Sequence, residues 1–146
     1  MKYSIVIATH NRAADLRGTL GSIAMLQTRQ PWEVIVVDNN STDGTPSVVR
    51  ELATSYPAPL RYLFEPVPGR SAALNTGIGA AQGSVIVTTD DDVRVEPDWL
   101  DHAGHAIDAL RCHYVGVRVL PIWGGPRPSW LPDRRRSRAA DRKSVV

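Results

Sequence analysis

Apolar residues fall into short continuous runs, separated by polar clusters and by stretches of helical periodicity. Ser4-Ile5-Val6-Ile7-Ala8 is the first run, rich in β-branched residues, and reads as a buried strand. Thr9-His10-Asn11-Arg12 ends it. Leu16, Leu20, Ile23 and Ala24 then recur at three- and four-residue spacing, which predicts an amphipathic helix closed by Pro31. Val34-Ile35-Val36-Val37 is a second continuous run, followed by the turn chemistry of Asp38-Asn39-Asn40-Ser41-Thr42-Asp43-Gly44. Pro46 suits the first turn of a second helix, with Thr45 as its expected cap and Val48, Val49, Leu52, Ala53 and Tyr56 as its stripe. Leu60 to Phe64 predicts a third strand, and a small-residue helix is expected from Ser71 to Gln82, stopped by Gly83. Val85-Ile86-Val87 predicts a fourth strand, leading into Thr88-Thr89-Asp90-Asp91-Asp92. Pro97 should open a last helix with Leu100, Ala103, Ile107 and Leu110 inward, and Val115 to Leu120 is a fifth strand candidate.

Strand and helix alternate four times, which predicts an α/β fold with a mostly parallel, doubly wound central sheet flanked by helices. Continuous apolar runs agree, because parallel strands are covered on both faces. Right-handed crossovers bring the carboxyl ends of such strands to one edge, where ligands bind. Three polar clusters are expected there: Thr9 to Arg12, Asp38 to Asp43, and Asp90 to Asp92.

Charge changes the picture only at the C-terminus. The net charge is +2, yet residues 1–126 hold 10 Lys/Arg against 13 Asp/Glu, and residues 127–146 hold 7 against 2. The basic character belongs to the tail, which lacks interleaved aromatics, so a nucleic-acid partner is not expected. A single cysteine, Cys112, excludes an intrachain disulfide, and no His/Cys zinc spacing exists. The N-terminus leads straight into a strand-like run, so no signal peptide is expected, and no run of 18 apolar residues spans a membrane.

Each candidate residue carries two readings. Three adjacent carboxylates after a buried strand repel one another unless a cation or donors balance them. Magnesium and manganese favour such oxygens and keep positions open for phosphate; a solvated acidic turn is the other reading of Asp90-Asp91-Asp92. Asp38 either accepts hydrogen bonds from a nucleoside or serves an Asx-rich turn, and taken alone the turn is favoured. Arg70, between a Pro-Gly loop and a helix start, suits a diphosphate or a base carbonyl, against a plain surface arginine. His102 and His105 share a helix face at i, i+3 without an acidic third ligand and read as surface residues. Cys112 reads as a small buried residue, and the four tryptophans as packing residues. Phosphate-loop, dinucleotide-binding and nucleophile-elbow motifs are absent.

Four blocks together resemble family 2 glycosyltransferases: Ser4-Ile-Val-Ile-Ala-Thr-His-Asn-Arg12, Val34-Ile-Val-Val-Asp-Asn-Asn-Ser-Thr-Asp-Gly44, Gly69-Arg-Ser-Ala-Ala-Leu-Asn-Thr-Gly77 and Val85-Ile-Val-Thr-Thr-Asp-Asp-Asp92. The resemblance covers residues 3–120 and implies the Rossmann-like GT-A fold, with an incomplete C-terminal part. It implies transfer of a sugar from a nucleotide-diphospho-sugar, a UDP-sugar by family habit, to an acceptor that is a glycan, a lipid or a small molecule. Thr9, Asn11, Arg12, Asp38, Asn40, Arg70, Asp90 and Asp91 would surround the nucleotide sugar, with Asp38 on the base and Asp90 near the ribose. Asp92, the last acid of the DXD motif, would ligate Mn2+ or Mg2+. A nucleotidyltransferase of related fold is disfavoured, because Thr9-His10-Asn11-Arg12 has no glycine.

The family's second half supplies the acceptor site and a carboxylate base, and only 54 residues follow Asp92. Asp133 and Asp141 lie in a basic, Pro/Arg-rich segment, so no catalytic base is identified. The expected organisation is a nucleotide-sugar-binding domain over 1–120 and a disordered or truncated remainder over 121–146. Two functions follow: a metal-dependent glycosyltransferase, or an inactive nucleotide-sugar-binding module. A cytoplasmic location is expected, with weak peripheral membrane contact through the basic tail.

Overall fold

Eight elements alternate along the chain in the structure, a computed structural model that describes residues 2–122. They are β1 (Tyr3–Thr9), α1 (Ala13–Ile23), β2 (Trp32–Asp38), α2 (Thr45–Ala53), β3 (Leu60–Phe64), α3 (Arg70–Ala80), β4 (Val85–Thr89) and α4 (Trp99–Leu110). The chain divides into two compact units, Met1–Asp98 and Trp99–Val146. The first holds the whole sheet, which is four-stranded, entirely parallel and ordered β3-β2-β1-β4.

The continuous apolar runs account for that order. β1 and β2 lie in the middle, and Ile5 to Ile7 and Val34 to Val37 are fully buried. β3 and β4 take the two edges, where burial alternates with exposure. The register sets Thr9 opposite Asp38 and Ile7 opposite Thr89, so the polar clusters that end β1, β2 and β4 open on one edge.

Small residues let α3 lie close on the sheet. Ala73 joins Ile35 and Val37 in one buried cluster, with Ala8, Leu63, Ala80 and Ala81 around it. A Cβ on Gly77 would collide with Val6 Cγ1 and come within 2.9 Å of Val37 Cγ2. Gly83, expected as a helix stop, has a different task. α3 ends at Ala80, and a Cβ on Gly83 would stand 2.6 Å from the Ser4 backbone nitrogen. The same corner is tied by Glu33, a fully buried carboxylate. Its Oε1 accepts bonds from Ser4 Oγ (2.6 Å) and the Gln82 backbone N–H (2.8 Å), and its Oε2 accepts one from Arg61 Nη1 (3.0 Å). Burial pushes the Glu33 carboxyl up, but those bonds together with the Arg61 charge outweigh it and hold the group below its ordinary value.

α1 buries Leu16, Thr19, Leu20 and Ile23. Trp32 and Tyr56 pack edge to face at 6.2 Å, and the Tyr56 hydroxyl donates to the Leu20 carbonyl (2.7 Å). At the start of α2 the cap position lies one residue before the expected Thr45. Gly44 stands at the cap position, and Asp43 Oδ1 accepts from the Thr45 backbone N–H (3.0 Å) and hydroxyl (2.6 Å).

The second unit begins with α4, which buries Trp99, Leu100, Ala103 and Gly104. Ile107 is half-buried, and Leu110, expected inward, is 70% exposed. Residues 114–122 have no regular secondary structure, so the fifth strand does not form there. A β-branched run becomes a strand only where a neighbour completes its ladder, and Val115 to Leu120 has none among the described residues. Cys112 is half-buried, not buried. His102 and His105 are exposed, as expected. Trp123, Trp130 and the 127–146 tail lie outside the described residues. Among the described residues no helix is long and apolar enough to cross a membrane.

Candidate functional site

At the carboxyl edge of the first unit's sheet, a pocket of about 340 Å³ is lined by Ala8, Thr9, His10, Arg12, Asn39, Arg70, Asp90, Asp91 and Asp92. Of the expected nucleotide-sugar residues, Thr9, Arg12, Arg70, Asp90 and Asp91 line this pocket, together with the expected metal ligand Asp92. Asn11, Asp38 and Asn40 do not line it.

The acidic triplet divides by burial. Asp91 is 8% exposed and accepts the hydroxyl of buried Thr9 at 2.7 Å. Burial pushes its carboxyl above its ordinary value, against the Thr9 bond and the Arg12 charge, with neighbouring Asp92 adding to the rise. Asp90 and Asp92 are exposed, and each accepts a bond from one arginine. Arg70 Nη2 lies 2.5 Å from Asp90 Oδ1, and Arg12 Nη1 lies 2.8 Å from Asp92 Oδ2. Arg12 Nη1 is also 3.9 Å from Asp91 Oδ1.

The loop carrying the triplet is held by α1. Thr19 Oγ1 lies 2.8 Å from the Asp91 carbonyl and 3.0 Å from that of Val93, and accepts the Val93 N–H at 3.1 Å. Ser22 Oγ, one turn on, accepts the Val95 N–H at 3.2 Å. Thr19 was legible only as a polar residue inside the apolar stripe of Leu16, Leu20 and Ile23, and sequence reasoning passed over it.

Asp38 serves the turn that its local sequence suggested. It is 1% exposed, its Oδ1 accepts the Ser41 N–H (2.8 Å), and its Oδ2 accepts the Tyr62 hydroxyl (2.7 Å). Burial, with Asp38 nearby, pushes the Tyr62 hydroxyl up to about 12. Its neighbour Asn39 organises the opposite wall. Asn39 Nδ2 donates to the carbonyls of Glu65 (2.9 Å) and Val67 (2.7 Å), and its Oδ1 accepts the Gly69 N–H (2.7 Å). Asn40, at φ 64°, adds bonds from its Nδ2 to the Glu65 and Pro66 carbonyls. The two asparagines thereby fix the loop that delivers Arg70.

Asn11, at φ 52°, accepts the Thr42 N–H through Oδ1 (2.7 Å) and so ties the first cluster to the second. His10 Nδ1 lies 2.6 Å from the Asn39 carbonyl, so that nitrogen carries the proton. Its Nε2 then accepts from Asn11 Nδ2 at 3.1 Å. Nothing in the sequence separated Asn39 or His10 from ordinary turn residues.

A family model described as glycosyl transferase family 2 matches residues 4–144. The chain belongs to that family. The family 2 match runs past residue 120 and through the basic tail. Glycosyltransferase AglE of Haloferax volcanii is 29% identical over 117 residues, covering 80% of this chain and 38% of that protein. A mannosyltransferase of Pyrobaculum calidifontis, solved with GDP-Man and Mn2+, is 34% identical with a TM-score of 0.68, over 73% of this chain and 32% of that one. TarS of S. aureus, solved with UDP, is similar in fold alone, at 24% identity and a TM-score of 0.76, over 88% of this chain and 38% of that one. This family 2 chain therefore spans well under two thirds of these relatives. Its all-parallel sheet flanked by helices is the GT-A arrangement that the four sequence blocks implied.

Proposed function

We propose that the pocket at the carboxyl edge of the sheet binds the diphosphate end of a nucleotide sugar, as the donor site of a metal-dependent glycosyltransferase. The observation that carries this reading is the joining of two arginines to a carboxylate triplet on one pocket rim. Neither charge type alone would single out a diphosphate with its counter-cation, and both together do. The complex of the mannosyltransferase with GDP-Man and Mn2+ supports it.

Among the described residues, no three His, Cys, Asp or Glu side chains converge as a ready-made metal site. The donor set nevertheless fits a magnesium- or manganese-like ion, which takes one or two carboxylates and completes its shell from phosphate and water. Asp92 would hold it, with Asp90 beside it. Bound there, the cation would act as a Lewis acid, offsetting the charge that develops on the leaving nucleoside diphosphate. Arg12 and Arg70 would donate to the diphosphate oxygens, and buried Thr9 and Asp91 would keep the acidic loop in place. Asp38 would meet the base only by exchanging its Tyr62 or Ser41 bond for one to the nucleoside.

Calorimetry with UDP and GDP tests the reading. We expect binding in the presence of manganese, a large loss on chelation, and a loss of tenfold or more in Asp92→Ala. Absence of binding to either nucleotide, or affinity indifferent to Asp92, would refute the donor site.

A second reading also has an observation behind it. The carboxylates lining the pocket are Asp90, Asp91 and Asp92, and each is already engaged by Thr9, Arg12 or Arg70. With the guanidiniums in these positions, no unengaged carboxylate lines the pocket among the described residues, and the second reading is a module that holds the donor without transferring it. UDP binding without sugar transfer or donor hydrolysis would select this reading. Any contact of the basic tail with a membrane surface concerns residues outside those described.

A further inference from the structure

Arg12 and Arg70 arrive at the acidic triplet from two different elements. Arg12 stands at the N-terminal boundary of α1, and Arg70 is the first residue of α3. Their backbones are fixed by those helices, while their long side chains reach across the pocket rim to Asp92 and Asp90. Both ion pairs are open to solvent, with side chains 49% and 49% exposed in one and 63% and 59% in the other. Exposed pairs of this kind contribute little to stability, so the cost of parting them is small. Asp91 behaves differently, because Thr9 and the Thr19 clamp bury and fix it.

From this geometry we infer that the two guanidiniums are exchangeable occupants of the outer carboxylates. The inference rests on the donor-site reading. A free divalent cation approaching Asp92 meets Arg12 first, and a free nucleoside diphosphate approaching the arginines meets three carboxylates. Each is held off alone. When both arrive, the carboxylates pass to the cation and the guanidiniums pass to the phosphates, whose geometry the guanidinium fork matches. No charge is then left without a partner. Nucleotide and cation therefore strengthen one another's binding, and linkage makes that coupling reciprocal. Of the two, Arg12 carries the larger share of the exclusion, since it lies within ion-pair distance of both Asp91 and Asp92.

The test is a titration of the full 146-residue chain with Mn2+, following free manganese by electron paramagnetic resonance, with and without UDP. In Arg12→Gln, manganese without UDP should bind more tightly, by about fivefold, the low end of measured couplings between sites. The same variant should bind UDP more weakly at saturating manganese. Those two opposite changes are not what a merely destabilised fold produces. Arg12→Lys keeps the positive charge and should leave manganese binding weak. An unchanged or weaker manganese affinity in Arg12→Gln, with UDP still binding the wild type, would overturn the exchange alone. Failure of the wild type to bind UDP or GDP at any manganese concentration would remove the donor site and the exchange together.

Discussion

Asn39 and Asp38 are adjacent, differ by one atom type, and do opposite things. Asp38 accepts from Ser41 and Tyr62, while the Asn39 amide both donates to two carbonyls and accepts from Gly69. Only an amide meets the second requirement, because a carboxylate has no N–H to donate. Asn39→Asp should therefore place negative charge against the Glu65 and Val67 carbonyls and cost about 2–3 kcal/mol, readable by urea denaturation. It should also accelerate amide exchange in the 65–69 loop, and a stability equal to wild type would refute this account. In the sequence this difference was not legible, since Asp and Asn both suit turns and neither announces which groups will face it. The acidic triplet was legible as a unit at the end of a strand. Its division into one buried and two exposed carboxylates was not, because that depends on Thr9, 82 residues away.

The elements read well where burial was continuous and badly where it was partial. β1 and β2 matched their runs because both faces of a central parallel strand are apolar. The Val115 to Leu120 run had similar composition and formed no strand, since composition does not supply a partner. In α3, Gly77 is poor by helix propensity and is nevertheless what allows contact with β1 and β2. Gly77→Ala improves helix propensity by roughly 1 kcal/mol, but the added methyl strikes Val6. Overpacking of this kind costs about 1–3 kcal/mol, so the variant should melt lower than wild type. Pairing it with Val6→Ala opens space at the same spot and should return part of the loss in a double-mutant cycle. Strict additivity of the two changes would show that they do not touch.

Across the whole first unit, the Glu33 clasp joins β1, β2, β3 and the end of α3 at the edge opposite the pocket. Its carboxyl is held below the ordinary value, so the stability it contributes is present above that value and is lost as pH falls through the lowered one. Glu33→Gln should flatten the acid limb of a stability–pH curve, and Glu33→Ala should cost about 3 kcal/mol at neutral pH by leaving the Arg61 guanidinium without its counter-charge and the Ser4 hydroxyl without its acceptor. An acid limb unchanged in Glu33→Gln would assign that limb to other carboxylates. The strand order β3-β2-β1-β4 carries a temporal consequence as well. The first strand of this sheet to be made sits in its interior, and one of its two flanks waits for β4, the last of the four. Until β4 arrives, β1 has an open edge and Thr9 has no Asp91 to hold. Closing that long loop is slow relative to local pairing, so the pocket assembles in the final stage of folding. A ligand that needs the acidic triplet reports on completion of the entire unit, since shorter nascent chains hold Arg12 and Arg70 without Asp90, Asp91 and Asp92.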